Sequence, residues 1–390
     1  MRSFFVAMAT GALTLAASSA AGQWTATVLH PSGQIQSELT GVDVDVQAGT
    51  IFTGSSNRAI LWNGSPLLWS DITPAVATSA TIVDMEGGNQ VGSAVISGGW
   101  RAGWWNGTAA SFVDLNPPGA VGSFGVAIDG SRQGGTVYLT GFGYQASLWT
   151  GTPLSWVNLH PAGFDESFVQ GLNSTHQVGF VTLGKQSRAA RWRMTVDTFV
   201  DLHPAGADSS VAVGMHSSVQ VGAAMFGGEW QAGQWNNTAD SFFNMHPAGE
   251  VSSVVLATHS RMHVGNVEKP SGDIVAALWD SATTVYENLH VYLPAHYRHS
   301  IAQSVMVTPS CIRVGGYAMA DQSPWQEAVL WRKSMCHGDL NGDCKLDFFD
   351  VQLFLALFSL GDPAADFNGD GNLDFFDVQA FLTAFSAGCP

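Results

Sequence analysis

Between positions 24 and 331, apolar and polar residues alternate in short runs bounded by Gly, Asn and Ser, as in residues 210–215 (Ser-Val-Ala-Val-Gly-Met) and 220–225 (Gln-Val-Gly-Ala-Ala-Met). No run keeps a helical period for three turns, so the pattern predicts short strands. The pattern also repeats. Ala-x-x-Trp occurs as Ala59/Trp62, Ala102/Trp105, Ala146/Trp149, Ala189/Trp192, Ala232/Trp235, Ala276/Trp279 and Ala328/Trp331, with steps of 43, 44, 43, 43, 44 and then 52 residues. A second mark lies 11 residues after each of the first six tryptophans, at Thr73, Asn116, His160, His203, His246 and His290, and reads Leu-His-Pro-Ala-Gly at 159–163 and 202–206. A third, Gln-Val-Gly, recurs at 177–179 and 220–222.

A period near 43 suits either helical pairs or four-stranded propeller blades, and the strand-like runs select blades. Asn63-Gly64 and Asn106-Gly107 after the tryptophans suit the positive φ of a tight turn. His-Pro-Ala-Gly places Pro second and Gly fourth, as a type I turn prefers. The fourth repeat then reads as strands Ser167–Leu172, Gln177–Leu183, Arg188–Arg193 and Thr198–His203. The first copy, 24–33, has the Leu-His-Pro mark without a preceding Ala-x-x-Trp, and the last ends at Trp331 without a following Leu-His-Pro. One unit split between the two ends is what a closed ring needs, and closure removes exposed strand edges. The predicted fold is therefore mainly β: a seven-bladed β-propeller over residues 23–335, closed by both termini, followed by a small α-helical module. The repeats resemble those of HAF-type extracellular proteins, which imply no defined chemistry. The Trp-Asp and Gly-His marks of WD40 blades are absent.

Residues 336–390 follow another pattern. Two twelve-residue stretches, 339–350 and 366–377, share register 27 residues apart. Calcium, a hard cation, takes six to eight oxygens, and such a loop supplies them from positions 1, 3, 5, 7, 9 and 12. Those positions hold Asp339, Asn341, Asp343, Lys345 (through its carbonyl), Asp347 and Asp350, then Asp366, Asn368, Asp370, Asn372 (carbonyl), Asp374 and Asp377. Two Ca2+ ions are expected. Leu346 and Leu373 stand at the apolar eighth position, where paired loops pack together. Asp in place of Glu at position 12, Asp-x-Asn-x-Asp in both loops, and Ala364-Ala365-Asp366 resemble the dockerin type I family, whose paired EF-hand-like loops each precede a helix. That resemblance implies helices at 351–360 and 378–386 and docking to a cohesin-like or cell-surface receptor. Positions 10 and 11, small or polar in that family, are Phe348-Phe349 and Phe375-Phe376, which either pack against the helices or form a docking face of their own. The Asp-Phe-Phe-Asp-Val-Gln repeat and Cys-Pro end are also similar to C-terminal modules of exported planctomycete proteins.

Composition and charge narrow the functional classes. The net charge of -16 argues against nucleic acid. Met1-Arg2-Ser3, an apolar stretch from Phe4 to Ala17 and the small residues Ala20-Ala21-Gly22 form a signal peptide over residues 1–22, too short for a membrane anchor. A secreted or cell-surface protein, monomeric and without a membrane span, is expected. The four cysteines, Cys311, Cys336, Cys344 and Cys389, should then form disulfides, with Cys336–Cys389 favoured because the two bracket the module.

The leading functional expectation is a non-enzymatic binding protein, with a propeller platform for a glycan or protein ligand and a calcium-dependent docking module. The alternative is a propeller enzyme acting on extracellular polysaccharide, a glycoside hydrolase or lyase. Enzymatic activity is the less expected outcome, since acidic residues such as Asp114, Asp201 and Glu229 are scattered and no catalytic residue is assigned. His30, His160, His203, His246 and His290 occupy one repeat position and would bind a transition metal only if their rings converged; local capping of each His-Pro turn is expected instead. The seven tryptophans are expected to be blade core, and Asn63, Asn106, Asn173 and Asn236, each in Asn-x-Ser/Thr, to be turn residues.

Overall fold

The structure, a computed structural model, describes residues 24–281, 285–321 and 323–389. The signal-peptide assignment lies outside them. The chain divides into two compact units, 24–333 and 334–390.

The first unit is a propeller of seven four-stranded antiparallel blades. Blade 1 runs through Gln36–Val42, Gln47–Phe52, Asn57–Trp62 and Trp69–Asp71, and blade 4 through Glu166–Leu172, Gln177–Leu183, Gln186–Arg193 and Thr195–Asp201. Blade 7 draws three strands, Tyr297–Val307, Cys311–Ala320 and Gln326–Ser334, from the end of the repeat array. Its fourth is the N-terminal strand Trp24–Val28, paired antiparallel with the last so that Ala26 faces Trp331. The innermost strand of blade 1 touches those of both blade 2 and blade 7, so the ring closes.

Each sequence mark has a physical reason. The seven Ala-x-x-Trp tryptophans are at most 1% exposed and fill the space between blades. In the third mark, Gly is obligatory. A Cβ on Gly49, Gly92, Gly135, Gly179, Gly222, Gly265 or Gly316 would lie within about 2.1 Å of a carbonyl oxygen on the inner strand, far inside contact distance. That carbonyl is brought close by a β-bulge in every inner strand, where one residue has no partner across the ladder. The bulged residues, Thr40, Val83, Val126, Gln170, Val213, Leu256 and Gln303, all line the central channel.

The histidine mark is a latch between blades. His160 Nδ1 lies 2.9 Å from Ser167 Oγ on the next blade, and that hydroxyl accepts, across the gap between blades, the N–H of Ala146 on the histidine's blade at 2.8 Å. The same relay joins His203, Ser210 and Ala189; His246, Ser253 and Ala232; His290, Ser300 and Ala276; and His30, Ser37 and Ala328. In blade 1, Thr73 Oγ1 takes the Ala59 N–H directly. The imidazoles are thus spent on local turns, and the ring of metal ligands does not form.

The second unit packs two helices, α1 (Phe348–Leu360) and α2 (Phe375–Ala387), through Phe354 and Phe381, stacked with centroids 4.3 Å apart. The favoured disulfide Cys336–Cys389 is present, and Cys311 and Cys344 are disulfide-bonded as well. Both helices begin three residues earlier than expected, because Asp347 and Asp374 are their N-caps. Each accepts the N–H two residues on and completes a capping box with Asp350 or Asp377. The Phe pairs are therefore the first two helical residues. At 61–72% exposed they do not pack against the helices, which corrects one of the two expectations for them.

Candidate metal centre

The two loops fold alike, residue for residue. Asp339 Oδ1 accepts Gly342 N–H at 2.9 Å and Oδ2 accepts Cys344 N–H at 2.8 Å; Asp366 accepts Gly369 and Gly371 N–H at 2.9 and 2.7 Å. Asn341 and Asn368 accept from Asp343 and Asp370, which in turn accept from Lys345 and Asn372. Asp350 bridges the Asn341 and Asp347 N–H groups, as Asp377 bridges those of Asn368 and Asp374. Position 6 must turn sharply, and Cys344 (φ 68) and Gly371 (φ 85) both sit at positive φ. Burial raises the Asp339 carboxyl above its ordinary range, with the charges of Asp350 and Asp343 adding to the rise; burial likewise raises Asp350.

The donors in both loops are oxygens only, which suits a hard cation and not a soft one. Their carboxylates are turned to backbone N–H groups. Among the described residues no three His, Cys, Asp or Glu side chains gather closely enough to hold a metal ion by themselves. A metal here would also draw on the Asn and backbone carbonyl oxygens.

In the propeller, Asp114 and Asp201 form ion pairs with Arg101 and Arg188 and are structural. The long sixth step builds a cleft of ≈ 1090 Å³ between blades 6 and 7, where Lys269 pairs with Glu250 and Arg298 with Asp273. Asn173 accepts the Thr175 and His176 N–H groups, a turn role as expected.

Sequence reasoning missed the channel. Three residues after each bulge, blades 1 to 3 place Asp43, Glu86 and Asp129 at one mouth, and blades 5 and 6 place His216 and His259, with rings 4.8 Å apart. Asp84, directly after the bulge of blade 2, accepts Met85 and Ile128 N–H at 2.8 and 3.0 Å. Burial outweighs those hydrogen bonds and, with the charges of Glu86 and Asp129, pushes its carboxyl up to about 7. The available signal was position: at that place the other blades carry Gly41, Ala127, Gly171, Gly214, Ala257 and Ser304.

No protein-family model and no curated protein matches the chain. Solved structures of similar fold include puromycin hydrolase (12% identity, TM-score 0.48, 78% of this chain and 55% of that one) and prolyl endopeptidase (9%, 0.48, 79% and 50%). A third is TolB from Acinetobacter baumannii (8%, 0.42, 74% and 79%). The chain spans about half the length of the hydrolase and the endopeptidase. The functional expectation is corrected by these neighbours. They include peptidases, where a non-enzymatic binder or a polysaccharide-degrading enzyme was expected, and the leaning against enzymatic activity falls with it. At such identities the likeness is one of fold, and it assigns no catalytic residue to this chain.

Proposed function

We propose that residues 334–390 form a two-calcium module of the dockerin type, each loop holding one Ca2+ and both ions fixing the helices that follow. The observation that carries this reading is the duplicated loop geometry, with the same side chains accepting the same N–H groups 27 residues apart and position 6 at positive φ in both. An acidic surface tail has no reason to keep that register. The ligands would be Asp339, Asn341, Asp343, Asp347 and Asp350 with the Lys345 carbonyl, and their counterparts Asp366, Asn368, Asp370, Asp374 and Asp377 with that of Asn372.

The partner of such a module would be a cohesin-like or cell-surface receptor, met by the exposed Phe348, Phe349, Phe375 and Phe376. Work outside the cell fits a chain whose cysteines are all disulfide-bonded. Calorimetric titration of the calcium-stripped full chain should show two Ca2+ per molecule, Asp366→Ala should leave one, and Asp339→Ala with Asp366→Ala should leave none. A chain that takes up no calcium, or a double variant that still binds two ions, would overturn the reading.

A further inference from the structure

Blade 4 carries a cluster of positive charge that the repeat does not require. In the ladder between Gln177–Leu183 and Gln186–Arg193, Val178 pairs with Arg191 and Gln177 with Trp192, which brings His176 opposite Arg193. Opposite residues of an antiparallel pair share a face, as do residues two apart on one strand. His176, Arg191 and Arg193 therefore project from one face of the blade. It is the face turned to blade 5, because Val178 packs with Ala212, Met215 and Trp235 there. At the place of Arg191 the other six blades carry the uncharged Leu61, Trp104, Leu148, Gln234, Leu278 and Leu330.

These cations lack the partners that others in the propeller have. Arg58, Arg101, Arg188, Arg261 and Arg298 each pair with an aspartate. Among the described residues Arg191 and Arg193 pair with no carboxylate, although the chain has 31 Asp and Glu against 15 Lys and Arg. The half-buried Arg191 guanidinium makes no hydrogen bond either; its Nε is sealed from solvent, while its Nη groups reach the surface. Burial lowers the pKa of both His176 and Arg191, and the charge of the neighbouring arginines lowers each further. A half-buried cation beside like charge and without a counter-ion destabilises the fold, so its presence points to a ligand and not to packing.

We infer that this face of blade 4 binds a dianionic oxyanion, free sulfate or phosphate or a phosphate monoester, between the Nη groups of Arg191 and Arg193 with His176 as a third contact. Two permanent positive charges match a dianion better than a monoanion. Each guanidinium offers a planar fork of N–H donors that fits two oxygens of such a group. His176 Nδ1 lies 2.8 Å from Thr175 Oγ1, which fixes the ring and leaves Nε2 for the ligand. The net charge of -16 disfavours anions over the rest of the surface, so one ion per chain is expected.

The test is calorimetric titration of the full chain, in calcium-containing chloride buffer of constant ionic strength, with sodium sulfate, glucose 6-phosphate and, as a monoanion, sodium acetate. Sulfate or glucose 6-phosphate should bind one-to-one with a Kd of about 1 mM or below, and acetate at least about ten-fold more weakly. The tighter of the two dianions identifies a free ion or an ester as the source, and either order supports the inference. Arg191→Leu restores the residue that four other blades carry, so it should fold with an undiminished melting temperature and lose at least about ten-fold in dianion affinity. The exposed Arg193→Asn, which restores the residue of blades 1, 2 and 5, should weaken binding likewise and decides alone if Arg191→Leu fails to fold. Absence of binding by both dianions, acetate bound as tightly, or wild-type affinity in the folded variants would each overturn the inference.

Discussion

A single side chain can hold two blades together here, because its polar atoms have no water to turn to. Each latch serine stands between an imidazole and a buried N–H, and losing such a hydroxyl would orphan the amide at about 1–3 kcal/mol. Burial keeps the latch imidazoles of His160, His203 and His290 below their ordinary pKa, so they are neutral partners. His263 is the extreme case. It takes the place held by Gln47, Gln90, Gln133, Gln177 and Gln220, lies between Thr258 and Gln234, and is pushed down to about 4 by burial despite the nearby Asp280. Between about 6.5 and that value the unfolded chain binds the extra proton, so stability due to His263 is complete above 6.5 and is lost as the pH falls. His263→Gln should therefore flatten the acid side of the stability profile, by up to about 3 kcal/mol near pH 4. Urea unfolding of both proteins from pH 7 to 4 checks this; parallel profiles would show that His263 does not titrate on unfolding.

At the scale of elements, turns and caps decide where regular structure starts and stops. Asp347 and Asp374 were read from the sequence as position 9 of each loop, and their role as N-caps moved both helix starts onto the Phe pairs. The first-loop turn places Cys344, itself disulfide-bonded, in a backbone region that favours glycine. In the second loop Gly371 has φ 85 and open space around its Cα, so an added Cβ meets no neighbour and costs only backbone strain. Gly371→Ala should cost about 1–2 kcal/mol, or roughly ten-fold in calcium affinity at the second loop. Calorimetry resolves the two steps, and an unchanged second step would mean that the loop does not need this conformation to hold calcium.

For the whole molecule the decisive event is closure. The strand Trp24–Val28 completes blade 7, buries Trp24 and delivers His30 to its latch with Ser37, while Leu29 N–H reaches Ala328 O at 2.7 Å. Removing residues 24–30 opens the ladder along Gln326–Ser334 and exposes Trp331, Leu330 and their neighbours. Losing the burial of Trp24 and Leu29 alone forfeits about 4 kcal/mol, and at about 2 °C or more per kcal/mol the melting temperature should fall by roughly 10 °C. Differential scanning calorimetry of the shortened and intact chains measures it. Equal melting temperatures would mean that the N-terminal strand does not hold the ring shut.

What the sequence determined by itself was everything that every repeat must satisfy. The Ala-x-x-Trp, His-Pro and Gly marks report local needs: a filled gap between blades, a latched turn, and a backbone approach that admits no Cβ. A need repeated seven times is visible in one chain, and so are seven blades, their strands and the shared last blade. The twelve-residue loops were legible for the same reason, since their spacing is a local property. Only the tertiary structure brought Asp43, Glu86, Asp129, Asp84 and Gln303 around one channel, because these residues depart from the repeat and stand up to 260 positions apart in the chain. Their proximity comes from closing the ring, and a periodic pattern carries no record of what faces what across its axis.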